Sequence, residues 1–180
     1  NIDVIIISEM YNNSVKTGLF KLSILFFTAF GLFGQSITSA LYHRFAALAD
    51  KPKILYQLSK NIKYISIPIY IIIALIFINL SNKIIILLFN DRFSMLGEIL
   101  QIIIVASIFQ LNTHINGGIW AACGKMRLNT QFYFVYSILY ILLLYVSLIF
   151  FDFIMYPYAI LIVSIFGSIY SEYLIRKILT

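Results

Sequence analysis

Residues 62–80 read IKYISIPIYIIIALIFINL, and this stretch decides the class of fold. It carries one charged residue, Lys63, at its edge. A helix rises about 1.5 Å per residue, so about 20 mostly apolar residues cross the hydrocarbon layer of a bilayer. The stretch therefore reads as a transmembrane helix, kinked where Pro68 removes a backbone donor.

Four more segments meet the same test on either side of it. They run from about Gly18 to Tyr42, from Ile99 to Cys123, from Thr130 to Phe151 and from Pro157 to Ile175. The apolar residues before Met10 form a shorter sixth. The sequence predicts an all-α fold, a polytopic transmembrane bundle of about five full spans plus a truncated one. The joints agree. Asn12-Asn13-Ser14 and Asn90-Asp91-Arg92 are turn clusters. Gly124 stands where a helix C-cap needs a glycine, and Pro157 suits a helix start. Residues 43–61 read as a polar connecting loop that becomes an amphipathic helix from Lys53, with Ile54, Leu55, Leu58 and Ile62 on one side.

Composition supports the membrane reading. Of 180 residues, 62% are hydrophobic and 11% charged, and the mean hydropathy is +0.96. Soluble domains are nearer half apolar and a quarter charged. The formal charge of +6 does not form a basic stripe able to grip nucleic acid. It follows the sides of the membrane instead. Arg44, Lys51, Lys53, Lys60, Lys63, Lys125, Arg127, Arg176 and Lys177 group at one side, and Lys16, Lys21, Lys83 and Arg92 at the other. Lysine and arginine accumulate in the cytoplasm, so the first group, and the C-terminus with it, is expected there. The one cysteine, Cys123, allows no internal disulfide. The chain begins at Asn1 in apolar residues with no charged leader, which reads as a helix cut in mid-span and so as a piece of a longer protein.

The polar residues inside the spans are the functional candidates, because intramembrane polar groups are costly and face water or a partner. Lys21, Thr28, Gln35 and Tyr42 recur every seven residues, with Gly31, Thr38 and Ser39 near the same line. This stripe suits the wall of a hydrophilic cavity in which Lys21 offers charge to an anion. A snorkelling lysine beside small packing residues would give the same pattern. The third span has two polar faces. Glu98, Gln101, Asn112 and Asn116 share one; Ser107, Gln110, Thr113, His114 and Gly117 share the other. His114 is a candidate proton relay, or a satisfied hydrogen-bond partner. The tyrosines 133, 136 and 140 read as packing contacts. Ser164, Gly167, Ser168 and Ser171 read as a seam of small residues, and Glu172 as an i,i+4 partner of Arg176. The candidate cavity residues are Lys21, Thr28, Gln35, Ser39, Gln110 and His114.

HExxH, GxSxG, Walker and CxxC motifs are absent from the sequence, as are paired carboxylates in a loop for glycosidic chemistry. The reading is a transporter, not an enzyme, with no cofactor and no metal.

Several short stretches resemble one family. Val15-Lys16-Thr17-Gly18-Leu19-Phe20 looks like the entry to the eighth helix of polysaccharide flippases. Leu41-Tyr42-His43-Arg44-Phe45-Ala46 looks like the stretch before their basic loop, with His43 where proline is usual. Leu87-Leu88-Phe89-Asn90 is similar to the end of their ninth helix, with Asn90 in place of glycine. Ile99-Leu100-Gln101-Ile102 and Gly124-Lys125 look like the start of the tenth helix and the turn after it. The chain thus resembles the O-antigen flippases of the multidrug/oligosaccharidyl-lipid/polysaccharide exporter superfamily. The resemblance implies that residues 1–180 are one bundle, the C-terminal half of a two-bundle transporter in the bacterial inner membrane. It implies alternating access, with an undecaprenyl-diphosphate-linked oligosaccharide as cargo, the N-terminal bundle of the same parent chain as partner, and proton or sodium coupling. Two alternatives stay open: a drug or metabolite exporter of the same superfamily, which would favour a lumenal acid such as Asp3, and a membrane O-antigen polymerase or glycosyltransferase, which usually carries a large outer loop.

Overall fold

The structure, a computed structural model, describes residues 2–11, 14–89 and 93–179. The turn residues Asn12, Asn13, Asn90, Asp91 and Arg92 and the side chain of Asp3 lie outside them. Six α-helices follow one another: α1 (Ile2–Tyr11), α2 (Ser14–Ala47), α3 (Pro52–Phe89), α4 (Met95–Ala122), α5 (Met126–Phe150) and α6 (Tyr156–Leu179). The described chain contains no strand, and the five helices from α2 to α6 are long and apolar enough to cross a membrane. A helix satisfies its own backbone hydrogen bonds, which a lipid environment demands. The chain is a multi-pass helical membrane protein.

The turns are short and their chemistry is visible. After α4, Gly124 takes φ +70°, a left-handed conformation that glycine adopts without strain. Its N–H bonds to Ala121 O at 3.1 Å, and Lys125 N–H reaches Trp120 O at 2.8 Å. This pair of bonds is a Schellman cap, which closes the helix end and reverses the chain. Between α2 and α3 the turn is held by Leu48 N–H on Phe45 O and Lys51 N–H on Leu48 O. Pro52 then opens α3 at the position where a missing N–H costs nothing.

The spans extend beyond the apolar runs. Residues 43–47 complete α2, and the amphipathic stretch expected from Lys53 is the first part of α3, continuous with the span behind it. Hydropathy ends a span at a charge, whereas a helical backbone continues into the headgroups and water. At 38 residues, α3 is about 57 Å long by its rise, well above the hydrocarbon thickness.

The helix α4 is the axis of the bundle. Half of its most apolar window is buried, against 17% for α3. It packs on α2, α3 and α6, while α5 leans chiefly on α6. The packing forms two clusters, one toward each end. One gathers Phe20, Ile85, Leu96, Ile103, Leu148 and Tyr156. The other gathers Phe45, Leu55, Tyr70, Trp120, Phe132 and Ile175 around the α2–α3 and α4–α5 turns.

Glycines let α2 and α4 approach. A Cβ on Gly34 would lie 3.1 Å from His114 Cβ, one on Gly31 would lie 3.1 Å from Gln110 Oε1, and one on Gly118 would collide with Thr38 Cγ2. The two polar faces of α4 thus meet different neighbours. Gln110 and His114 face the glycines of α2, while Asn112 and Asn116 bond to Ser168 and Ser171 of α6.

Candidate functional site

The α2 stripe lies on the outside of the bundle. Lys21, Thr28, Gln35 and Ser39 are all exposed. At 100° per residue, Ser39 returns to the bearing of Lys21, and Thr28 and Gln35 fall within about 40° of it. From Lys21 to Ser39 the helix rises about 27 Å, close to the full hydrocarbon thickness. Leu25 and Leu32, 63% and 53% exposed, stand between these residues, so the face is amphiphilic. The Thr28 hydroxyl donates to Ile24 O within its own helix at 2.9 Å, which leaves its oxygen able to accept from a ligand but not to donate.

The lower half of that face opens into a polar groove of 280 Å³ between α2, α4 and α5. Gln35, Thr38 and Ser39 line it from α2, His114 from α4, and Asn129 and Tyr133 from α5. The structure therefore brings three of the sequence candidates, Gln35, Ser39 and His114, into one place. Gln110 lies one turn before His114, against Gly31. Lys21 and Thr28 lie farther along α2, outside the groove. His114 Nε2, Asn129 Oδ1 and Gln110 Oε1 are buried with no hydrogen-bond partner among the described residues. Buried polar atoms are normally satisfied, so this region has hydrogen-bonding capacity to give. Asn129 and Tyr133 complete the groove because the Gly124 turn reverses the chain and lays the start of α5 beside the end of α4.

A second polar centre lies on the other flank of α4. Lys63 Nζ donates to Glu172 Oε2 and to Asn116 Oδ1, both at 2.6 Å. Asn116 Nδ2 donates to Ser171 Oγ at 3.0 Å. Arg176 Nε stands 3.5 Å from Glu172 Oε1, the i,i+4 contact expected from the sequence, but the shorter and more buried partner is Lys63. This cluster ties α3, α4 and α6 together. The sequence places Lys63 among the loop charges because it opens an apolar run. Lys63, Asn116 and Glu172 lie inside three separate helices, and no local sequence pattern links them.

Of the α5 tyrosines, Tyr133 lines the groove and Tyr136 packs against α6. Tyr136 approaches Ser164 Oγ at 3.5 Å, and its ring would block any Cβ at Gly167. Phe132, Phe166 and Tyr170 stack between α5 and α6. Among the described residues no cluster of three His, Cys, Asp or Glu side chains is placed to hold a metal.

No family model matches this chain, and no curated protein or solved structure does.

Proposed function

We propose that this bundle is one half of a transporter whose cargo is an anionic lipid-linked oligosaccharide, of the undecaprenyl-diphosphate type, carried between leaflets. The observation behind the reading is the exposed α2 face. A lysine, a glutamine and the Ser39 hydroxyl spread along about 27 Å of a spanning helix cannot face lipid cheaply. They call for water or a second protein surface. A central cleft between two bundles supplies both. The interleaved Leu25 and Leu32 suit a cargo that has a polar head and an apolar tail. Lys21 supplies the positive charge for a diphosphate, and the groove around Gln35, Ser39 and His114 supplies neutral hydrogen-bonding groups for sugar hydroxyls. The resemblance to O-antigen flippases points the same way, and with it the bacterial inner membrane and a cytoplasmic C-terminus.

Complementation tests this. The full-length protein, intact and as Lys21→Ala, is expressed in cells lacking their own flippase, and surface polysaccharide is assayed. The intact protein is expected to restore it, and Lys21→Ala at equal membrane abundance to restore several-fold less. Equal restoration by both would retain translocation and reduce Lys21 to a headgroup anchor. Failure of the well-expressed intact protein against several repeat units would overturn the cargo assignment.

A further inference from the structure

A groove of 530 Å³ opens between α3 and α6, on the flank of the bundle that holds the ion pair. Lys60, Lys63 and Arg176 line it, and Glu172 is its one carboxylate. That carboxylate is already committed, to Lys63 at 2.6 Å and to Arg176 at 3.5 Å. The Lys63 ammonium has three donors; Asn116 and Glu172 take two of them. Arg176 is 63% exposed. Lys60 is also exposed, with its ammonium 4.7 Å above the Tyr56 ring. Among its lining residues the groove thus sets three cations against one carboxylate.

Its wall is apolar. Tyr64, Ile67 and Pro68 continue the outer surface of α3, where Tyr64 is 84% exposed and Ile65 and Ile72 also stand out. Arg176 sits in the last turn of α6, and Lys60 in the early turns of α3. Both belong to the end of the bundle where the α2–α3 and α4–α5 turns lie. Cations at a helix end beside a lipid-facing apolar wall match a phospholipid: phosphate in the basic mouth, acyl chain down the wall. Basic pockets between transmembrane helices bind acidic headgroups in this manner.

We infer that the α3–α6 groove is a binding site for an anionic phospholipid, with Lys60 and Arg176 on its phosphate oxygens and its chains along Tyr64, Ile67 and Pro68. A zwitterionic lipid would bring its own ammonium into the same cationic mouth. Inorganic phosphate would satisfy the charges and leave the wall uncovered. The site is independent of the transport reading, since it lies on the flank of α4 away from the α2 stripe.

Native mass spectrometry and thermal unfolding of the detergent-purified protein test this, with phosphatidylglycerol, phosphatidylcholine or inorganic phosphate added. Phosphatidylglycerol is expected to stay bound and to raise the unfolding midpoint, and phosphatidylcholine to do neither. The variant Lys60→Gln/Arg176→Gln is expected to bind phosphatidylglycerol about 30-fold more weakly, two surface cations each contributing about fivefold. Lys83→Gln, at the opposite end of α3, is expected to bind normally. The readout is the increment caused by lipid, so a lower baseline stability in the double variant leaves the test intact. Equal stabilisation by phosphatidylcholine, equal stabilisation by phosphate alone, or undiminished binding in the double variant would each overturn the site.

Discussion

Lys63 and Glu172 meet across 109 residues of sequence, at the wall of the α3–α6 groove, with Lys63 largely withdrawn from water and Glu172 partly so. Removing two charges from water is expensive, and their attraction offsets it only when geometry and further hydrogen bonds are good. Here Asn116 supplies the further bond, and Ser171 holds Asn116. The two partners are not equivalent. The Lys63 side chain is 11% exposed and Glu172 25%, and Glu172 also has Arg176 within 3.5 Å. Glu172→Leu would leave the more buried charge with only a neutral amide. It is expected to cost about 3 kcal/mol, in the range for a broken buried pair. Lys63→Leu is expected to cost clearly less, because Glu172 keeps Arg176 and some water. The double substitution is expected to be more stable than Glu172→Leu alone. Unfolding midpoints of the three variants in detergent decide this, and an order with Lys63→Leu the least stable would refute it. Sequence patterning shows Glu172 with Arg176 because i,i+4 contacts are local. The pairing with Lys63 needs the fold, since nothing in the neighbourhood of either residue points to the other helix.

At the scale of the helix, the apolar runs show the spans, and the close approach of α2 to α4 decides their packing. Between membrane helices small residues permit contact that lipid does not drive. Gly117 and Gly118 are adjacent in sequence and look alike there. In the structure they differ. A Cβ at Gly118 would collide with Thr38, whose hydroxyl lies 3.0 Å from Gly34 O and 3.3 Å from His114 O, so the side chain is held in place. A Cβ at Gly117 would meet Asn129 Oδ1 and Tyr133 Oη at 3.4 Å, ordinary contacts. Gly118→Ala is therefore expected to destabilise by about 1–3 kcal/mol, the usual cost of overpacking. Gly117→Ala is expected to be close to neutral. Thr38→Ala in the Gly118→Ala background is expected to recover part of the loss. Thermal unfolding of the four proteins is the measurement, and equal losses at the two glycines would contradict the packing. Helical period alone put Gly31, Thr38 and Gly117 on polar faces; which of them touch depends on the rotation of α2 against α4, which the sequence does not state.

For the whole molecule, the charge asymmetry gives a direction across the membrane. Among the described residues, nine lysines and arginines group at the end that holds the α2–α3 turn, the α4–α5 turn and the close of α6, against Lys16, Lys21 and Lys83 at the other. By the tendency of basic residues to stay inside, that end is expected to face the cytoplasm. Cys123, the cysteine of this chain, reports on it, because it caps α4 at the basic end and is partly exposed. An impermeant maleimide is expected to label it in inverted inner-membrane vesicles and to spare it in intact spheroplasts. The thiol also carries its own control. Burial pushes its pKa up, the Asp50 carboxylate adds to the rise, and Lys125 offsets part of it. The thiolate is the reactive form and charged, so a raised pKa makes labelling slow near neutrality. Below that pKa the rate climbs about tenfold per pH unit, and it is expected to be still climbing where an ordinary thiol, with a pKa near about 8.5, has begun to level. Steep labelling in vesicles with none in spheroplasts fits the basic end inside. The same steep profile from the outer face would reverse the bundle, and with it the leaflet from which a cargo would enter the α2 face and the leaflet whose lipids reach the α3–α6 groove.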